Sequence, residues 1–242
     1  MNIVAFIFAR KGSRSIKNKN KKIFLKKPLI YYSILHGKKL NRVKEIIVST
    51  DSLSIKKISE RYGAKVPFLR PKKLSSDSSP EIFSWRHACL EYEKYFGKKV
   101  DIFLCLPVTT PLRRLKDTKN ALIYFCKNLK KINFLISITK TNHFPAFNMV
   151  KQNNKKFVRI LDNEKKINNR QQIKNIFNIS TSFYITTRKH LFSNSKANIF
   201  NNKTAGFMVP KINSIDIDDH DDWTISELLA NKFNLKQKDY LL

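Results

Sequence analysis

Acidic residues are scarce in this sequence. Of 242 residues, 18 are Asp or Glu against 48 Lys or Arg, a formal charge of +30. No apolar stretch approaches the roughly 18 residues that a membrane-spanning helix needs, so no span and no membrane partner are expected. The opening apolar run, Ile3 to Phe8, is too short for the core of a secretory leader and has no charged segment ahead of it, which points to the cytoplasm. Cysteines are few: Cys89, Cys105 and Cys126 lie far apart among apolar neighbours. That spacing is neither a disulfide framework nor a metal motif, and it reads as core filling in a reducing compartment. No internal repeat is present, and the length suits one large α/β domain with a substantial core.

The excess positive charge admits three explanations: a nucleic acid, an anionic membrane, or an anionic substrate on top of a lysine-biased composition. Lysine pairs recur along the whole chain, at Lys38-Lys39, Lys72-Lys73, Lys98-Lys99 and Lys130-Lys131. Such even spreading favours a compositional bias. A nucleic-acid reader is expected to gather its cations on one face with aromatic platforms, and no recognition-module signature is present.

One stretch departs from that evenness. Ile3 to Phe8 reads as a buried parallel strand, and it ends in the loop Ala9-Arg10-Lys11-Gly12-Ser13-Arg14-Ser15-Ile16-Lys17-Asn18-Lys19-Asn20. Between Arg10 and Lys27 there are nine Lys or Arg and no acid. Gly12 lets the backbone approach an anion closely, Ser13 adds a hydroxyl, and the one-signed ring of cations suits a polyphosphate. The plainer alternative is a lysine-rich surface loop.

Further along, Pro28 to Leu35 reads as a helix with proline in its first turn, Glu45 to Asp51 as a second buried strand, and Ile55 to Tyr62 as a helix leading to a strand at 64–66. This alternation predicts a doubly wound, mostly parallel sheet with ligands at the C-terminal ends of its strands, where Asp51 sits as a ligand group or a helix cap. Ser79-Pro80 opens a helix whose stripe Ile82, Trp85, Cys89, Tyr92 and Phe96 is core. Val100 to Leu106 is a further buried strand, Asp117 is expected to cap the next helix, and Phe134 to Ile138 is another strand. From about 139 to 170 short alternating runs such as Phe157 to Leu161 look like β-hairpins projecting from the sheet.

Near the end, five aspartates fall within seven residues, at 216, 218, 219, 221 and 222. On a strand, alternation puts Asp216 and Asp218 on one face, where two carboxylates repel unless a cation lies between them; hard oxygens with room for phosphate and water suit Mg²⁺. Asp221 or Asp222 is expected to cap the last helix. The alternative is a solvated acidic turn.

Four blocks carry a resemblance to a family. Ala9-Arg10-x-Gly12-Ser13-Arg14-x-Ile16-x-Asn18-Lys19-Asn20, Arg70-Pro71-x-x-Leu74-x-Ser76-Asp77, Thr109-Thr110-Pro111-Leu112-Arg113 and Ser214-Ile215-Asp216-Ile217-Asp218 resemble, in order, the motifs of the cytidylyltransferases that make CMP-activated sialic acids and related nonulosonic acids. The resemblance implies a nucleotide-diphospho-sugar transferase-like variant of the Rossmann fold, spanning 1–242 as one domain, with a dimerisation insertion at about 139–190. It implies that Arg10, Gly12, Ser13, Arg14, Lys19 and Asn20 hold the CTP triphosphate, and that Asp51, Arg70, Ser76, Asp77 and Thr109 line the rest of the nucleotide. Arg70 can donate to the O2 and N3 acceptors of cytosine, and uracil lacks the second of these. Thr110, Arg170 and Gln171 fall to the sugar side, an arginine fork being suited to a carboxylate. Asp216 and Asp218 fall to Mg²⁺, and with Arg10, Arg14 and Lys19 they form the catalytic set.

Several positions depart from the family pattern. Ser15 and Lys17 stand where glycine and proline are common, Pro107-Val108 replace glutamine-proline, and the segment Phe177 to Tyr184 lacks the asparagine-glycine pair normally found there. Three rivals share some of these features: a CMP-Kdo synthetase, a glycosyltransferase with an Asp-x-Asp metal motif, and a basic nucleic-acid binder.

Overall fold

A computed structural model describes residues 1–13, 15–162, 175–193 and 199–232. In chain order the elements are β1 (Ile3–Phe8), β2 (Ile23–Phe24), β3 (Lys27–Pro28), α1 (Leu29–Lys38), β4 (Val43–Ser49), α2 (Leu53–Arg61), α3 (Glu81–Phe96), β5 (Ile102–Cys105), α4 (Leu115–Lys127), β6 (Phe134–Lys140), β7 (Val150–Gln152), β8 (Val158–Ile160), β9 (Phe177–Thr187), α5 (Arg188–Leu191), β10 (Thr204–Met208) and α6 (His220–Lys232).

A six-stranded sheet in the order β10-β6-β9-β5-β1-β4 forms the centre. β9 runs antiparallel to both β5 and β6, and the other strands share one direction. The expected mostly parallel sheet is therefore present, with one reversed strand at its middle. Both faces are covered. Along β1 the side chains alternate, Ile3, Ala5 and Ile7 facing one core and Val4 and Phe6 the other. The first core takes apolar residues of α1, α2, α4 and α6, such as Ile34, Ile55, Phe125 and Trp223. The second takes Ile82, Trp85, Cys89 and Tyr92 of α3 and Leu191 of α5. Phe6 and Phe103 stack there at 4.3 Å between ring centroids. A strand buried on both faces has no polar side to show, which is why β1 and β5 read as continuous apolar runs.

α3 follows Pro80 and ends at Gly97, whose φ of +64° is the left-handed conformation that glycine adopts without a Cβ penalty. α2 is capped by Ser52, whose hydroxyl accepts from the Ile55 N–H. Some sequence expectations are corrected. The strand expected at 64–66 is a single parallel bridge, Ile47 to Lys65. Asp117 lies inside the first turn of α4, held by two hydrogen bonds from the Arg114 guanidinium at 2.8 and 2.9 Å, so it does not cap. The cap of α6 is Asp219, which accepts from the Asp221 and Asp222 N–H groups at 2.9 Å each. Asp222 reaches back to the Asp218 and Asp219 N–H groups, a reciprocal capping box. Residues 214–218 belong to no strand or helix, so the strand expected at Asp216 and Asp218 is not formed. The expected hairpin is β7 and β8, antiparallel to each other in a sheet of their own, whereas β9 belongs to the central sheet.

Candidate active site

The C-terminal ends of β1, β4 and β5 open onto one cleft, as the parallel arrangement demands. Three loops leave there and are fastened to one another. Ala9 donates to the Ser49 carbonyl, Arg70 N–H to the Thr50 carbonyl, and Leu106 N–H to the Phe6 carbonyl.

The cationic loop after β1 is shaped by two of the residues its sequence singled out. The Asn20 side chain donates to the Arg10 carbonyl at 2.9 Å, and Asp51 accepts the Lys11 N–H at 2.7 Å. Asn18 sits at φ +58°, a conformation that asparagine tolerates, and starts a short helical turn at Lys19–Lys21. A Cβ added to Gly12 would meet no atom within 4 Å, so the space above that glycine is open. Arg14 lies outside the described residues, as do Arg170 and Gln171.

Arg10 forms an ion pair with Asp77, which joins the first sequence block to the second. Ser76 lies nearby in sequence but is exposed, its hydroxyl turned to the Lys73 carbonyl. Arg70 is 94% buried by its 6% exposure, donates to the Ser84 hydroxyl at 3.4 Å, and leaves its Nε buried with no hydrogen-bond partner. Burial lowers the Arg70 pKa; the charges of Asp51 and Glu81 oppose that and Arg10 adds to it.

The first block also meets the last. Lys19 Nζ donates to the Ile217 carbonyl at 2.6 Å and lies 3.7 Å from Asp218 Oδ1. Thr109 supports the same segment, since its carbonyl accepts the Ile217 N–H at 2.8 Å. Along this segment Asp216 is half-buried, Ile217 buried and Asp218 exposed. Asp216 Oδ1 is buried without a hydrogen bond. Burial raises the Asp216 pKa, the Thr109 hydroxyl opposes this, Asp218 adds to it, and Thr181 and Lys19 oppose it. Thr110 faces Thr181, with the two hydroxyls 2.9 Å apart.

Two cleft residues were not singled out from the sequence. Glu81, the first residue of α3, keeps surface exposure, yet the protein packed around the cleft raises its carboxyl pKa; Trp85 and Arg70 oppose that and Asp216 adds to it. An acid in a helix's first turn reads from sequence as a partner of the helix dipole, so nothing marked it for the cleft. Thr181 arrives through the irregular path of β9, which no local pattern encodes.

The cleft thus offers an arginine donor without a hydrogen-bond partner, cations on the loop after β1, and a buried carboxylate oxygen without a hydrogen-bond partner. Such groups suit a polyanion bound together with a divalent cation. Among the described residues no group of three His, Cys, Asp or Glu gathers to hold a metal alone. Two carboxylates with room for phosphate oxygens and water fit the needs of Mg²⁺ instead.

Comparison with known proteins agrees with this geometry. Residues 4–241 match the family model described as cytidylyltransferase. The chain is 32% identical to post-translational flagellin modification protein B of Campylobacter coli over 98% of this chain and 99% of that one. It is equally 32% identical to a CMP-N,N'-diacetyllegionaminic acid synthase of Campylobacter jejuni, with the same coverage. A solved structure of a CMP:2-keto-3-deoxy-manno-octonic acid synthetase complexed with CTP superposes with a TM-score of 0.70 at 16% identity, covering 96% of this chain and all of that one. At that identity the superposition speaks for the fold alone, while the match along nearly the whole sequence settles kinship. The chain belongs to the cytidylyltransferase family and is a nucleotidyltransferase.

Proposed function

We propose that the protein transfers CMP from CTP to the anomeric hydroxyl of a nonulosonic acid of the sialic, legionaminic or pseudaminic type, releasing pyrophosphate. One observation carries this reading: Lys19 of the cationic loop reaches the Ile217 carbonyl beside Asp216 and Asp218, so phosphate-holding cations and a carboxylate pair share one cleft. The sugar hydroxyl attacks the α-phosphorus in line, and the work left to the protein is positioning and charge stabilisation. Arg10, Arg14 and Lys19 hold the triphosphate and the departing pyrophosphate, with Gly12, Ser13 and Asn20 shaping the cradle. Arg70 turns its unpaired Nε to the nucleotide, with Asp51, Ser76, Asp77 and Thr109 around it. Asp216 and Asp218 would hold Mg²⁺, which supplies positive charge at the α-phosphate and acidifies a bound hydroxyl. Thr110, Arg170 and Gln171 are assigned to the sugar, the arginine to its carboxylate.

The reading extends to assembly and place. The whole chain is one domain with a dimerisation insertion at about 139–190, and the β7–β8 hairpin supports this by exposing apolar side chains, Phe157 at 71% and Val158 at 59%. Such surface calls for a partner, here a second copy of the chain. Sedimentation as a monomer at micromolar concentration would sink that part. The reaction is placed in the cytoplasm. Its cysteines are free, and no described helix is long and apolar enough to cross a membrane.

The deciding assay incubates the protein with CTP, Mg²⁺ and one acidic sugar at a time, including Kdo, and follows pyrophosphate. Release with a nonulosonic acid and CTP, and far less with UTP, is expected. Release with Kdo alone would move the protein to the rival synthetase class, and none with any acidic sugar would refute the proposal.

A further inference from the structure

The reversed strand at the middle of the sheet is broken where the cleft lies. Opposite β6, Ile136 pairs with Tyr184 and the next residue, Ser137, pairs with Ser180, so Thr181, Ser182 and Phe183 loop out of register. Bulges of this kind redirect side chains, and they cost pairing unless other groups satisfy the freed backbone. Here buried side chains do so. Ser137 donates to the Ser180 carbonyl at 2.7 Å and accepts the Phe183 N–H at 3.2 Å. Arg113, only 2% exposed, donates through Nε to the Ser182 carbonyl and through Nη2 to the Pro107 carbonyl at 2.7 Å. Thr110 is placed to donate to the Thr181 carbonyl at 3.1 Å. The bulge is therefore clamped to the β5 loop, whose Thr109 carbonyl holds Ile217 next to Asp216.

These ties set the Thr181 hydroxyl 2.9 Å from that of Thr110, on the loop whose Thr109 carbonyl holds Ile217, and after Thr109 the Thr181 hydroxyl is a second group that opposes the upward shift burial gives the Asp216 carboxyl. Asp216 keeps its other face, Oδ1, buried and unpartnered. From this geometry we infer that Thr181 is a positioning residue: aimed by the clamped bulge, it fixes the rotation of the Asp216 carboxylate so that one oxygen stays directed at the cation. The inference rests on Asp216 being a cation ligand. Outer groups that orient a ligating carboxylate change metal affinity by about 10- to 100-fold when removed.

The test uses the full-length protein and Mn²⁺ alone, with binding followed by electron paramagnetic resonance. Thr181→Val keeps shape and removes the hydroxyl, and it is expected to weaken Mn²⁺ binding at least about tenfold while the metal-free melting temperature stays within a few degrees. Thr181→Ser restores affinity. If Thr181→Val folds poorly, Thr110→Val is expected to weaken Mn²⁺ in the same direction by loosening the hydroxyl pair. Asp216→Asn separates the two levels. Loss of Mn²⁺ in Asp216→Asn with wild-type affinity in Thr181→Val and Thr110→Val overturns the positioning role but leaves the metal site standing. Wild-type affinity in Asp216→Asn, or no Mn²⁺ binding by the wild-type protein, overturns both.

Discussion

Replacing Lys19 by methionine tests the junction on which the proposed site depends. The Lys19 side chain is 13% exposed, and its ammonium donates to the Ile217 carbonyl at 2.6 Å. A hydrogen bond from a charged donor is worth about 1.5–3 kcal/mol. The ion pair adds little: Asp218 is 77% exposed at 3.7 Å, and such pairs contribute at most about 1 kcal/mol. Methionine retains most of the apolar stem, so packing changes little. The expected loss is about 2 kcal/mol, which at about 2–4 °C per kcal/mol for a chain of this size lowers the melting temperature by about 4–8 °C. Turnover tests the second role. If the ammonium also meets the triphosphate, pyrophosphate release falls at least about a hundredfold, as when a donor aimed at developing charge is removed. The two readouts, scanning calorimetry and steady-state turnover with CTP, can fail separately. An unchanged melting temperature would show that the loop and the carboxylate segment stand without the bridge. A lowered melting temperature with ordinary turnover would make Lys19 a tie and nothing more.

Arg10→Ala and Asp216→Ala are each expected to keep their fold by circular dichroism and to lose at least about a hundredfold in turnover; near-normal turnover refutes the role of the residue concerned. Lys26→Gly is expected to stabilise. Leu25 and Lys26 form the two-residue turn between β2 and β3 at φ +44° and +76°, a pairing that favours Asn-Gly, and removing the Cβ at Lys26 should gain about 1 kcal/mol after the added chain entropy is subtracted. A fall in melting temperature for that variant would contradict the strain assigned there. His36 is buried against the Thr118 hydroxyl, and burial followed by the Arg113 charge holds its pKa well below 6.5. A depressed value means that stability is intact above 6.5 and is lost as the pH falls, because only the unfolded chain takes up the proton. Between pH 6.5 and 5.5 this costs about 1 kcal/mol, and His36→Gln should lose that much less over the same interval in urea titrations; equal losses in both proteins would refute it.

How far the sequence foretold the protein depended on whether one segment's own period carried the information. β1 and the stripe of α3 were legible because both burial patterns are local, a continuous apolar run and steps of three and four. The 64–66 segment was read as a strand from the alternation of elements, but only Lys65 reaches the sheet edge. Asp117 looked like a cap, yet the Arg114 fork three residues away claims both of its oxygens. The strand expected to set Asp216 and Asp218 on one face is absent: residues 214–218 join no ladder, and Ile217 is held instead by the Thr109 carbonyl and the Lys19 ammonium. The path of β9 was not legible at all. Its register jump is set by Ser137, Thr110 and Arg113, each about 40 or more residues away in sequence.

The charge of the whole chain does not describe the charge of its cleft. The molecule carries +30, but at the site three of the described cations are opposed by acids: Arg10 pairs with Asp77, Lys19 nears Asp218, and the charges of Asp51 and Glu81 act on Arg70. For a chain with 18 acids, four of them set against these three cations is a local concentration of negative charge. A bare positive groove attracts any polyanion and loses it steeply as salt rises. A cleft of opposed charges attracts less at long range, because the fields of neighbouring groups cancel beyond about a Debye length of 10 Å. In the proposed site a ligand takes over both sets at once, phosphate oxygens for the arginines and lysine and a cation for the aspartates. On that proposal, selectivity for a metal-bound nucleotide over nucleic acid follows from the pairing of groups at short range rather than from the surface lysines.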